Sequence, residues 1–195
     1  MNTPTHMLIG AALFARRDRP RATLAAFAGG LAPDLSLFVM VGWAVGVLGL
    51  STHEAFGEMY ASDGWQRVFA VDHSLPLWAA LALAARALAA PSLLAFTGSG
   101  LAHAATDLML HHDDARRQLW PLSDWVFRSP VSYWDPRHHG DVVAPLEALL
   151  VLALTAALLR RLARRWERAL VLVVAGVLLV PILVTGGFHG LHGMG

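Results

Sequence analysis

Cysteine is missing from all 195 residues, and so is lysine, so the fifteen cations are all arginines. The first absence excludes disulfides, thiolate metal sites and cysteine nucleophiles. The second excludes Schiff-base lysines and the lysine of a phosphate-binding loop. Neither GxxxxGK[ST] nor GxGxxG occurs. Charge is scarce at 15%, against about a quarter in an ordinary soluble domain. No basic stretch interleaves with aromatics, so a nucleic-acid partner is not expected. The opening stretch "MNTPTHMLIGAALFARRDRPR" makes a poor signal peptide, because its cations follow the short apolar run instead of preceding it. It is expected to stay in the mature protein.

What is present is apolar. Hydrophobic residues make up 56% of the chain and mean hydropathy is +0.51. The fold class this predicts is all-α, a polytopic membrane helix bundle forming one integral domain over 1–195. A spanning helix needs about 20 apolar residues. Long apolar segments at 22–50, 75–90, 92–110, 142–159 and 169–188 predict about five spans. The short segment 7–15 cannot cross alone and predicts an N-terminal half-helix. Pro33 predicts a kink or break inside 22–50.

Arginine placement orients the bundle. Ten of the fifteen arginines fall in 16–21, 86–91 and 160–168, which successive crossings put on one side. The positive-inside rule makes that side cytoplasmic. Connectors 51–74 and 111–141 are then expected to be periplasmic loops, in a bacterial inner membrane with lipid as the surrounding partner. The connector "DDARRQLWPLSDWVFRSPVSYWDPRHHG" is rich in Trp, Pro and charge. It reads either as an aromatic belt at the headgroups or as an ordered lid over a site.

Within this apolar frame, "LAHAATDLMLHHDD" at 101–114 puts His103, Asp107 and His111 at i, i+4 and i+8. Ionisable groups inside a membrane mark functional sites. The outer two lie about 12 Å apart along a helix axis, too far for one ion to take all three. Two ions about 3.5–4 Å apart, with Asp107 between them, fit better. The competing reading is polar contact between helices. Counting along each segment brings His6, Asp34, Asp72, His73, His103, Asp107 and His111 to the outer half of one bundle. Imidazole and carboxylate donors suit Zn first, with Mn or Fe as alternatives.

"THMLIG", "LAPDLS", "DHS" and "HAATD" follow one another in this order. In this the chain resembles the YdjM-like family of bacterial inner-membrane proteins, described as metal-dependent hydrolases, over roughly residues 3–125. The resemblance implies His6, Asp34, His73, His103 and Asp107 as metal ligands. The family's HR-containing run before THS is replaced here by "QRVFAVDHS", with Arg67 out of place and Asp72 where Thr stands. A more distant likeness to the all-helical zinc phospholipase C and single-strand nuclease group implies His111 or His112 as a further ligand, and extends to His138, His139 and Glu147.

The expected activity is metal-dependent hydrolysis of a phosphoester lipid or similar amphiphile at the outer leaflet, with one or two ions. Asp72 or Asp113 is the expected general base. Arg116 or Arg117 is expected to hold the anionic group. The alternative is a non-enzymatic scaffold or transport accessory whose polar stripe joins helices. Ser74, His73 and Asp72 make no triad, because neighbours on a helix do not face one another. His189 and His192, in a Gly-rich tail, are expected to have no function.

Overall fold

In the computed structural model, which describes residues 1–185, helices account for 73% of the chain and no strand forms among the described residues. The all-α helical bundle is as the composition requires. In chain order the helices are α1 (Thr3–Phe14), α2 (Pro20–Gly46), α3 (Thr52–Glu54), α4 (Asp63–Asp72), α5 (Leu75–Ala87), α6 (Pro91–Leu108), α7 (Gly140–Arg161) and α8 (Arg165–Thr185). A π-helical turn, Ala55–Met59, follows α3, and a 3-10 turn, Pro136–His138, precedes α7. His189 and His192 lie outside the described residues.

Four stretches are long and apolar enough to cross a membrane: Pro20–Gly46, Asp63–Ala87, Gly140–Arg161 and Arg165–Val184. Only 17% of the apolar window of α7 is buried within the chain. Its outward Leu146, Leu149 and Leu152, like Leu172, Val173 and Val177 of α8, therefore need an apolar solvent. This is a membrane protein. The fifth expected span, 92–110, appears as the 18-residue α6, and it is less apolar because it carries Thr97, Ser99, His103, Thr106 and Asp107. It can afford them by sitting inside the bundle, packed on α1, α2 and α5.

Two expectations about backbone change. Helix α2 runs unbroken through Pro33, although proline removes one bond of the helical ladder. The segment 51–74 is not an open loop but largely helical, and α4 with α5 makes one near-continuous stretch interrupted at His73 and Ser74. Ser74 caps α5 by accepting from Leu77 N–H at 3.1 Å, and Pro76 occupies its first turn. The freed backbone is satisfied from outside, where Leu75 N–H donates to Gln118 O at 2.8 Å. His73, at the break, lies on the same buried face as Phe69 and Ala70.

Helix α1 is the expected half-helix. Its twelve residues cover about 18 Å, short of the roughly 30 Å hydrocarbon core. A helix end buried this way has orphan N–H and C=O groups to satisfy, and α7 supplies partners at both ends. Glu147 accepts from Asn2 N–H at 2.8 Å, Asn2 Nδ2 at 3.0 Å and Thr5 Oγ1 at 2.5 Å. At the other end Arg161 donates to Ala11 O at 2.6 Å and Ala12 O at 2.7 Å. Acid at the N-terminus and cation at the C-terminus also complement the helix dipole. Leu8 and Ala11 of α1 then pack with Phe27, Val151, Leu158 and Val171 in the main apolar core.

Two adjacent glycines bring α1, α2 and α6 together. A Cβ on Gly29 would overlap the Phe96 backbone of α6, and one on Gly30 would lie 2.7 Å from the His6 carbonyl oxygen. Because both approaches are backbone against side-chain-free backbone, neither neighbour can give way.

Candidate metal centre

Rising about 1.5 Å per residue from the arginine-bearing end, His6 lies about 13 Å up, His103 about 18 Å, Asp34 and His73 about 21 Å, and Asp107 about 24 Å. Three long helices and the half-helix thus deliver these side chains to neighbouring levels, and packing brings them together. Donor atoms of Asp34, His73, His103 and Asp107 all lie within 4.8 Å of one another, and all four residues are buried. The protein has a buried His/Asp cluster able to hold a metal ion.

Asp107 is the hub. Its Oδ2 lies 3.3 Å from His103 Nε2 and 3.6 Å from His73 Nε2. Asp34 Oδ1 lies 3.6 Å from His103 Nε2 and 3.5 Å from His73 Nε2. On the other side, Asp107 Oδ1 is 2.9 Å from His6 Nε2 and 3.1 Å from His111 Nε2. The Met1 nitrogen is also 2.9 Å from that oxygen. The six ligand candidates named from the sequence therefore form two donor sets that share one carboxylate.

Supporting contacts fix which ring nitrogen faces inward. His103 Nδ1 lies 2.8 Å from the Gly30 carbonyl, which can only accept, so Nδ1 carries the proton. Thr106 Oγ1 donates within its own helix to Ala102 O or His103 O, both at 2.9 Å, and so accepts from His6 Nδ1 at 3.1 Å. In both histidines Nε2 is left buried without a hydrogen-bond partner. Each Nε2 faces carboxylate oxygen, an arrangement that needs either a proton on that nitrogen or a cation between the two. The two rings stack with centroids 3.6 Å apart, so protonating both would place two imidazoliums face to face. A metal ion in the plane of either ring relieves that ring's contact without adding a second imidazolium. The donor set fits a metal on these grounds.

His111 lies beyond the expected helical stripe. Helix α6 ends at Leu108, and the chain tightens with Met109 N–H on Thr106 O and Leu110 N–H on Asp107 O before turning. The turn bends His111 back over Asp107. His111 Nδ1 donates to Asp114 Oδ2 at 2.7 Å, an imidazole–carboxylate pair that aims Nε2 at the cluster. Burial opposes ionisation of Asp114, but the His111 hydrogen bond outweighs it and holds the carboxyl below its ordinary value. Asp114 Oδ1 is buried without a partner.

The expected bases and anion holders separate. Asp72 stays outside the group, and its backbone carbonyl accepts from Trp78 Nε1 at 2.6 Å. Asp113 is exposed and bonded to Arg137 Nη2 at 3.1 Å. Arg117 points away to Asp124 at 3.5 Å. Of the two arginines only Arg116 enters, with Nη1 against His73 Nε2 and 3.3 Å from Asp107 Oδ2. Burial works against its charge, yet Tyr60, Asp107 and Asp34 beside it raise its pKa above the ordinary value. Glu147 holds α1, and His139 sits at the start of α7 with a left-handed φ of 65°. Neither belongs to the buried group.

A cavity of about 510 Å³ opens beside Arg116. Leu37 and Phe56 give it an apolar wall, while Tyr60, Asp114 and Arg116 make a polar floor. Connector 109–139 forms part of its lining through Tyr133 and Trp134. Sequence alone does not single out Asp114 or Tyr60: Asp114 directly follows Asp113, and Tyr60 has no spacing to betray it. No family model, curated protein or solved structure matches the chain.

Proposed function

We propose that this cluster is a metal centre taking one or two divalent ions, Zn first with Mn or Fe as alternatives, and that the protein hydrolyses an anionic amphiphile such as a phosphoester lipid. The observation that carries the reading is the pair of buried, stacked imidazoles whose bare Nε2 atoms face carboxylates. The ordered motifs shared with YdjM-like hydrolases point the same way. One ion would sit among Asp34, His73, His103 and Asp107, a second among His6, His111 and Asp107. When bound, such ions supply an acidified water and a Lewis-acid contact for the scissile group.

The chain's own residues do the rest. Arg116 now fills part of the donor set and would turn its guanidinium into the adjoining cavity to hold a phosphate oxygen. Asp114, with one oxygen orienting His111 and one unpartnered, takes the general-base role expected of Asp72 or Asp113. The apolar cavity wall receives an acyl chain, and the lining connector screens the site from bulk water. The arginine distribution supports an inner-membrane protein with the Arg16–Arg21 loop in the cytoplasm, which places the cavity at the outer leaflet.

Arg116 also favours a second reading, in which its charge and the histidines balance Asp34 and Asp107 with no ion, and the cluster is interhelical glue in a scaffold or transport accessory. Metal analysis of gently purified protein separates them. The hydrolase reading expects stoichiometric Zn, Mn or Fe in the wild type and its loss in His103→Ala and Asp107→Ala. A wild type without metal, unaffected by chelators and tolerant of Asp107→Asn, sinks it.

A further inference from the structure

A separate group of donors lies at the rim of the molecule, outside the buried cluster. His112 follows α6, and His138 ends the 3-10 turn before α7, so 25 residues of connector intervene between them. Their rings nevertheless stack with centroids 3.5 Å apart and planes within 20°. Donor atoms of His112, Asp113 and His138 lie within 4.8 Å of one another.

Two of the three donors are already oriented by a supporting contact. His112 Nδ1 donates to the Ser129 carbonyl at 2.6 Å, which leaves the Nε2 lone pair free to ligate. That Nε2 is 3.6 Å from Asp113 Oδ1, a separation close to the roughly 3.3 Å between two donors sharing a tetrahedral Zn at about 2.0 Å. The other carboxylate oxygen, Oδ2, accepts from Arg137 Nη2 at 3.1 Å. Arg137 is itself forked on Asp135, with Nη2 2.8 Å and Nε 3.1 Å from Oδ2. Asp135 further accepts from the Arg137 backbone N–H at 2.9 Å, which shapes the 3-10 turn carrying His138. One imidazole and one carboxylate thus have their outer atoms tied back, with a donor atom of His138 within 4.8 Å of theirs, the pattern of a metal site with its supporting shell.

We infer that His112, Asp113 and His138 form a second, peripheral divalent-metal site, of zinc-type chemistry, that staples the two ends of connector 109–139. Two histidines and one carboxylate leave a position for water, and the partial exposure of the group gives the ion a route in. The ion's task is structural. The connector between Met109 and Asp135 has no regular helix or strand, and exposed ion pairs such as Arg137 with Asp113 stabilise little by themselves. An ion bridging both ends closes the loop that lines the cavity, by the coupling of metal binding to local folding.

The experiment uses the full chain in detergent, loaded with Zn²⁺, desalted and measured for bound zinc. His138→Gln and Asp113→Asn, both on the rim, are compared with wild type and with His103→Ala, so that zinc on other histidines cancels in the difference. The result expected is one equivalent fewer in the rim variants than in wild type. Zn²⁺ should also slow tryptic cleavage at exposed Arg128 several-fold in wild type and His103→Ala, but not in the rim variants. Equal zinc in His138→Gln and wild type, or cleavage at Arg128 indifferent to Zn²⁺, overturns the inference. If the buried centre binds nothing, His103→Ala matches wild type while His138→Gln still loses its equivalent, so failures of the two sites are distinguishable.

Discussion

At the scale of single residues, the histidine tautomers decide what the cluster can do. Gly30 O and Thr106 Oγ1 hold the Nδ1 protons of His103 and His6, which directs both Nε2 lone pairs at Asp34 and Asp107. Asp114 does the same for His111 through a 2.7 Å bond. Asp114→Asn, which weakens that orientation, is expected to lower zinc affinity about 10–100-fold, read by competition with a chromophoric chelator. Arg116 makes the sharper test, since its guanidinium and a metal ion compete for Asp107. Arg116→Gln should tighten zinc binding while abolishing phosphoester hydrolysis. If the cluster is ion-free glue, the same change should instead destabilise the protein by about 3–5 kcal/mol, the cost of stranding buried charge. Unfolding in detergent with and without zinc distinguishes these.

At the scale of elements, α1 is the piece whose position everything else serves. It is too short to span, both its ends are buried or half-buried, and α7 answers each with a side chain of suitable charge. Glu147→Ala removes the acceptor for three donors at the first turn. It is expected to cost about 1–3 kcal/mol per stranded donor and to loosen His6, lowering bound metal by up to one equivalent. Gly30→Ala acts at the same contact from α2. Its Cβ would meet the His6 backbone, with an expected loss of about 1–3 kcal/mol from overpacking, visible as a lower melting temperature. The interruption between α4 and α5 is the other such device. His73 continues the buried stripe of Phe69 and Ala70, and the Ser74 cap and Pro76 restart the helix just beyond it.

For the whole molecule, the absence of cysteine makes topology directly measurable. Trp125→Cys, in the cavity-side connector, should react with an impermeant maleimide added to intact cells. Ala163→Cys, between α7 and α8, should react only after permeabilisation. The reverse pattern would invert the proposed orientation and move the site to the inner leaflet. Chelation should lower the melting temperature of wild type more than that of Asp107→Ala, because only in wild type do two carboxylates gathered in one apolar interior lose a metal counter-ion.

Much of this was legible along the chain. Apolar length alone determined the membrane bundle and the half-helix, because a bilayer sets how many apolar residues a crossing needs. Intramembrane His and Asp were conspicuous for the same reason, and counting their depth brought His6, Asp34, Asp72, His73, His103, Asp107 and His111 to one region, of which Asp72 stays outside the cluster. The roles of Asp72, Asp113, Arg116, Arg117 and Glu147 were not legible, since each depends on which way a side chain turns at a helix end. Asp72 falls off the buried face of Phe69, Ala70 and His73 and stays outside the group, and the turn after α6 parts Asp113 from Asp114. Pairing of His112 with His138 across 25 residues has no periodicity to announce it. Sequence by itself determined which groups the membrane would force together, because burying charge in lipid is costly everywhere. Only tertiary structure decided which atoms face one another, because that follows from caps, turns and close backbone approaches between distant segments.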